Sequence, residues 1–377
     1  MPRPLLLLST CGTSLLTNLL RERNDFGLSV PDIIRMANLP TLTEIPDAQQ
    51  PLLTRFLSFS RERVATLDPE AAAKASAEIN GILKVVADSG PQQPLHYLIA
   101  TDTYLGQQTA ELVKIWLDQR GQQANIFRIP GLTTASTTDF MGGVKELLRF
   151  TEETVAEVSH SHRVVFNLTG GFKSLLGVMT TLGTFYADEI VYVFERSPDL
   201  IRIPRLPIKL DNGLITDHAA VMLRMAQDDY RTAVETAQLP PALLESVGEN
   251  RYGLSVWGEL IWSKFKEGIL IRAPIDLPRL QYETSFRRDF QNLEKTDKVQ
   301  LQETLARIGS LLEESNGSRE ALLGDRAGGI KYEQYKGKNR QYCHFRFGGG
   351  LRVSCKPVDG KLILRHCGQH DYVNDNP

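Results

Sequence analysis

The stretch PLLLLST, residues 4–10, opens the pattern that most constrains this chain. A continuously apolar run ends in a small polar turn, CGTS, and a helical run follows it. PLHYLIA repeats the device with the turn TDTYLGQQ. ANIFRIP, RVVFN and EIVYVFE are further runs of the same kind, with SLLGVMTT between the last two. Strands that are apolar at every position are buried on both faces, and strands alternating with helices build a parallel sheet covered on both sides. The expected fold class is therefore α/β, a Rossmann-like parallel sheet. Ligands in such sheets lie beyond the carboxyl ends of the strands. The polar turns after the first, second and fourth runs all fall there. Residues 26–88 read as an insertion with several prolines and an alanine-rich helix.

After RIPRLPIKLDNG the pattern changes. Residues 215–270 read as helices, including LSVWGELIWSKF, and ILIRAPIDLP reads as a short strand and a linker. Two amphipathic helices follow, SFRRDFQNLEK and KVQLQETLARIGSLLEE. A glycine-rich turn, LGDRAGG, then leads into short strands: YEQYKG, QYCHFRF, LRVSCKPV and KLILRHCG. The expected organisation is an α/β domain over residues 1–210, a helical connector over 211–278 that could be winged-helix-like, and an α+β domain over 279–377.

Charge separates these parts. The chain carries −2 overall, yet Lys331 to Pro377 holds nine Lys/Arg and four Asp/Glu, a net +5, which leaves −7 on the remainder. A basic end on an acidic body points to a polyanion as partner of that end. The four cysteines, Cys11, Cys343, Cys355 and Cys367, form no CxxC pair, and no stretch is long enough to span a membrane. A cytoplasmic protein with reduced thiols and no membrane partner is the expectation.

NLTGGFKS, Asn167 to Ser174, stands at a strand-to-helix junction. It is not a P-loop, because Phe172 and Asn167 occupy the two positions that motif reserves for glycine. Gly170 and Gly171 still allow a close backbone approach, the helix start favours an anion, and Lys173 adds a full charge. An ordinary tight βα turn is the plainer reading. The first turn offers Thr10, Cys11, Gly12, Thr13 and Ser14, and the second offers Thr101, Asp102, Thr103 and Gln107. With Gly170, Gly171, Phe172, Lys173 and Ser174 they make three polar turns at one end of one sheet. Together they suit a polar, nucleotide-like ligand.

STCGTSLLTN, NLTGGFKS and VYVFERSPDLIRIPRLPI together resemble the CARF sensor domains of type III CRISPR systems, over roughly residues 1–210. The resemblance implies a homodimer binding cyclic oligoadenylate across its two-fold axis. Cyclic tetra-adenylate is favoured, since two-fold symmetry needs an even ring and the turns are compact. In some relatives a hydroxyl residue of the first loop and a lysine of the GGFKS-like loop also cleave the ring. Ser14 and Lys173 occupy those positions here.

HFRFGGGLRVSCKPVDGKLILRHCGQHDYV resembles the closing strands of RelE-type toxins, over about residues 280–377. That implies a metal-independent ribonuclease cutting mRNA on the ribosome, with no cofactor. By position, Arg352 matches the central-strand arginine, and His370 falls where relatives carry arginine or histidine. Arg346 and His344 lie near the family's basic residues, with the register shifted by GGG, and Tyr372 stands closer to His370 than the usual terminal tyrosine. The chemistry also follows from the residues. When a 2′-hydroxyl attacks its neighbouring phosphate, negative charge gathers that fixed cations stabilise, and a histidine, lysine or tyrosine can move the protons. Lys336, Lys338, Arg340, Arg346, Arg352 and His370 supply that inventory. The cysteines and histidines of this segment match no zinc-ligand spacing, and Cys343–His344 and His366–Cys367 should point to opposite faces of their strands.

The expected function is a cyclic-oligoadenylate-activated, ribosome-dependent mRNA endoribonuclease that also cleaves its activator. A ligand-gated nucleic-acid-binding regulator and a ring nuclease without mRNA cleavage remain the alternatives.

Overall fold

The computed structural model describes residues 3–90, 93–194, 199–208, 212–324 and 328–377. Residues 195–198 of the VYVFERSPDL motif, 209–211, and 325–327 of the LGDRAGG turn lie outside the described residues. The chain divides into two compact units, Met1–Ile208 and Lys209–Pro377.

The first unit carries a six-stranded sheet. Its strands are β1 (Leu5–Thr10), β2 (Leu95–Ala100), β3 (Ala124–Arg128), β4 (Arg163–Asn167), β5 (Glu189–Val193) and β6 (Leu200–Pro204), in spatial order β3-β2-β1-β4-β5-β6. The first five are parallel, and β6 adds an antiparallel edge that the proline-bearing IRIPRLP stretch did not suggest. Every residue of β1 is buried, as a strand covered on both faces requires. The chain runs outward from β1 through β2 to β3, then returns to the other side of β1 for β4. The carboxyl ends of β1 and β4 therefore flank the topological switch point, where ligands of such sheets bind.

Helices α1 (Ser14–Glu22), α2 (Val30–Met36), α3 (Gln50–Thr66), α4 (Pro69–Ala75), α5 (Ala77–Asp88) and α6 (Tyr104–Asp118) contribute to a core shared with the sheet. Helices α7 (Thr137–Phe150), α8 (Ala156–Val158) and α9 (Lys173–Tyr186) complete the unit. Residues 26–88, read as an insertion, are integral. Phe56, Ile79 and Ile82 are buried in that core, and α5 is the last helix of the crossover from β1 to β2. Gly81 lets α5 approach β4: a Cβ there would meet Asn167 Oδ1 at 2.2 Å.

His96 of β2 makes a stability prediction. It is wholly buried, with Nε2 3.1 Å from Gln122 Oε1 and Nδ1 without a partner. Burial, opposed by that hydrogen bond, lowers its pKa from 6.5 to about 4. The unfolded chain takes up a proton below pH 6.5 that the folded chain refuses until about pH 4. Stability present above pH 6.5 is thus lost as pH falls through that window, by about 3 kcal/mol for this group. Denaturant unfolding at pH 7 and pH 4 should show a smaller decline in His96→Gln than in the wild type. Equal declines would remove His96 from the acid response.

The second unit begins with α10 (Gly213–Asp217) and α11 (Ala219–Met225). A three-stranded antiparallel sheet then forms from β7 (Arg231–Thr232), β8 (Leu244–Gly248) and β9 (Arg251–Leu254), before α12 (Val256–Leu270). The all-helical reading of 215–270 is corrected here. These strands are short and β8 is mostly exposed, so no apolar alternation betrays them. ILIRAPIDLP forms no strand either, because Ile269 and Leu270 complete α12.

The remainder holds β10 (Leu280–Tyr282), α13 (Thr284–Gln291), α14 (Lys295–Glu314), β11 (Glu333–Gln334), β12 (Cys343–Phe347), β13 (Leu351–Val358), β14 (Lys361–Gln369) and α15 (His370–Asp375). Its five-stranded sheet has the order β10-β14-β13-β12-β11. Met222, Leu223 and Trp262 share one apolar core with Leu305, Phe345 and Val353, so the segment before β10 packs on this sheet's helices instead of standing apart.

Candidate functional site

Two places gather the chemistry. In the first unit the three polar turns converge on one cleft of about 390 Å³ beyond the ends of β1, β2 and β4. Gly12, Thr13, Ser14, Thr101, Thr103, Thr169, Gly170, Gly171 and Phe172 line it. The first and third turns are stitched together: Thr10 Oγ1 donates to the Gly170 carbonyl at 2.6 Å. Glycine is required where they meet, since a Cβ on Gly12 would lie 2.9 Å from the Gly171 nitrogen. Asn167 anchors the third turn, its Nδ2 donating to Ser9 Oγ and its Oδ1 accepting from Thr169 Oγ1 at 2.7 Å.

Two helices start at this cleft without a side-chain cap: α1 after Thr13 and α9 after Phe172. By contrast, Thr103 caps α6 and Ser76 caps α5. Uncapped amides at a helix start carry partial positive charge and suit an anion. Lys173 and Ser174, the first residues of α9, are exposed at the rim and do not form the wall.

Four of the expected ligand residues have scaffold roles: Thr10 through its bond to Gly170, then Cys11, which also borders the cleft, Asp102 and Gln107. Cys11 is buried, and its amide donates to the Ile99 carbonyl at 2.9 Å. Burial first, and then the charge of Glu78, push its thiol well above the ordinary range, so it remains protonated. Asp102 and Gln107 lie outside the cleft wall because Arg128 holds both, at 2.7 Å and 3.0 Å. Glu78 went unnoticed in the sequence. It reaches from α5 to accept from the Gly12 amide at 2.8 Å and from Ser14 Oγ at 3.2 Å.

Residues 73–206 match a family described as CRISPR-associated protein (Cas_APE2256). The chain thus carries a CRISPR-associated protein domain. The match includes the second and third turns, Glu78 and β2 through β6, while the first turn and the whole second unit lie outside it. No curated protein matches the chain.

In the second unit the register Arg346↔Arg352 and His344↔Ser354 sets these four side chains on one face of β12 and β13. Cys343, Phe345, Phe347, Leu351, Val353 and Cys355 are buried in the core on the other. Cys343 and His344 therefore diverge as alternation requires, and among the described residues no three metal-ligating groups cluster.

The Arg352 face differs from expectation in one respect. Alternation along LRVSCKPV predicts Leu351, Val353 and Cys355 on the core face and Arg352 on the opposite face, open to an RNA cleft; the faces are as expected, but Arg352 is only 8% exposed. Helix α15 and the residues after it cover it: Arg352 Nη1 donates to Asn374 Oδ1 at 2.9 Å, and Ser354 Oγ to the Asn376 carbonyl at 3.1 Å. Tyr335 joins from β11's end, its hydroxyl 3.2 Å from the Val373 carbonyl and its ring 4.7 Å from the His344 ring, edge to face. Burial pushes that phenol up to about 12. Burial also lowers the His344 pKa, and Arg352, Arg346 and His370 reinforce the shift against Glu333. His344 is thus neutral near pH 7, with Nδ1 buried and unpartnered.

The other expected basic residues lie at the surface. Lys336, Lys338 and Arg340 are exposed on the turn before β12, and His370 is exposed at the start of α15. Tyr372 turns away to a separate cluster. Its hydroxyl donates to Asp289 Oδ2 at 3.0 Å, which also meets His366 Nδ1 at 2.8 Å.

Proposed function

We propose that this protein is a cyclic-oligoadenylate-activated, ribosome-dependent mRNA endoribonuclease, and that its first unit also cleaves the activator. The observation carrying the ribonuclease reading is the alignment of His344, Arg346 and Arg352 on one sheet face, with a neutral histidine beside two arginines. Such a face supplies charge for a phosphorane and a group to move a proton. Two helices followed by antiparallel strands accord with the RelE resemblance.

The sensor reading draws on the cleft at the switch point and its two uncapped helix starts. Cyclic tetra-adenylate is the proposed ligand. A homodimer would present the cleft twice, and α9 offers the exposed Leu176 beside Gly177 for such a contact. Activation then requires the ring to bind the cutting arrangement more tightly than the resting one. A ring nuclease without mRNA cleavage is the second reading, favoured by the cover over Arg352.

Incubation with translating ribosomes, with and without cyclic tetra-adenylate, separates the two. The first reading gives new mRNA ends only with ligand. Ring cleavage with intact mRNA supports the second. A protein that neither binds nor cleaves the ring contradicts both.

A further inference from the structure

Glu78 is fully buried behind the cleft, yet among the described residues no lysine, arginine or histidine pairs with it. A buried carboxylate without a cation is costly unless hydrogen bonds replace its water. Three do: the Gly12 amide at 2.8 Å, Ser14 Oγ at 3.2 Å and Ser76 Oγ at 2.7 Å. Gly170 makes room for it, since a Cβ there would lie 2.2 Å from Glu78 Oε1. The carboxylate thus touches the first turn directly and shapes the third.

The consequence falls on Ser14, which lines the cleft. A serine hydroxyl has one hydrogen, and here that hydrogen is committed to Glu78 Oε2. What Ser14 offers the cleft is acceptor capacity alone. An acceptor does not hold a phosphate oxygen; it holds a donor, such as a ribose 2′-hydroxyl.

The geometry points to Glu78 as the positioning residue and terminal proton acceptor of a Ser14–Glu78 relay that activates a ribose 2′-hydroxyl in the ring. This role rests on the ring-cleavage reading above. The 2′-hydroxyl gives its proton to Ser14 Oγ as the Ser14 proton passes to Glu78 Oε2. The 2′-oxygen forms a bond to the adjacent phosphorus, and the bond from phosphorus to the 5′-oxygen breaks. The leaving 5′-oxygen takes a proton from water, and the hydroxide so formed is neutralised by the proton Glu78 releases. The products are a 2′,3′-cyclic phosphate and a 5′-hydroxyl, with no net water consumed.

The test measures cyclic tetra-adenylate binding by calorimetry and single-turnover cleavage for the wild type, Glu78→Gln, Ser14→Ala and the double variant. Glutamine is nearly isosteric and still accepts from Gly12. Expected are an affinity within about threefold of the wild type for Glu78→Gln, a loss of up to about tenfold for Ser14→Ala, which gives up one hydrogen bond to the ring, and cleavage slowed by about 10²-fold in each single variant. The double variant should be no slower than the slower single, because both changes break one relay. If Glu78→Gln does not fold, Ser14→Ala carries the expectation alone, with cleavage lowered at least tenfold more than affinity. A wild type that cleaves the ring, beside a folded Glu78→Gln that cleaves it equally fast, overturns the relay and leaves the ring-nuclease reading standing. Multiplying losses in the double variant, or binding and cleavage lost together, do the same. A wild type that binds the ring without cleaving it overturns both.

Discussion

Arg352→Ala is expected to lower ribosome-dependent mRNA cleavage by about 10²–10³ at saturating cyclic tetra-adenylate, the usual loss when one preorganised charge is removed from a transition state. Arg352 pairs in register with Arg346 and shares a face with His344, so on the proposed reading its removal halves the guanidinium charge of that face. The change lies in the second unit, and ring binding in the first should be untouched. Arg352 is an apt test because its position does not depend on a flexible stem: the buried side chain is fixed by Asn374 at 2.9 Å. Its stability effect must be measured alongside, since Arg352→Ala leaves the Asn374 amide oxygen without this donor. Near-normal cleavage by a folded Arg352→Ala would show that the cutting face lies elsewhere in the unit, with the Asp289–His366–Tyr372 cluster the next place to look.

Lys173→Ala should weaken cyclic tetra-adenylate binding by about 1.5–3 kcal/mol, which is roughly ten- to a hundredfold. Lys173 opens α9, whose first turn has no side-chain cap, so on the proposed reading the lysine charge and the free amides serve one phosphate. Its exposure at the rim lets the side chain reach a ligand without breaking contacts in the wall. The variant should fold normally for the same reason. Calorimetry with the fold verified gives the answer, and an unchanged affinity would move the phosphate away from α9.

How much of this was legible in the sequence depends on the range of each interaction. β1 and β4 were readable because strands buried on both faces are apolar at nearly every position, as Leu5–Leu8 and Val164–Phe166 are. The three turns were readable because they directly follow those strands. Glu78 was not, because its contact with Ser14 spans 64 residues and its helix looked like part of an inserted segment. The core face of β13 followed from alternation, but its cover did not. Helix α15 has six residues, too short to be stable by itself, and only Val373, Asn374 and Asn376 meeting the sheet side show why it forms. Asp102 and Gln107 illustrate the opposite error. They stand in a polar turn where a ligand was expected, and Arg128, on the neighbouring strand, takes both.

The central claim is that ring occupancy switches on mRNA cutting. The most direct measurement titrates cyclic tetra-adenylate into the protein with translating ribosomes, following bound ring and newly formed mRNA 5′ ends in the same samples. The account predicts that cleavage is low without the ring, rises in step with occupancy, and decays as the ring is consumed. Cleavage that is independent of ligand, or absent when the protein is saturated with it, would contradict the account.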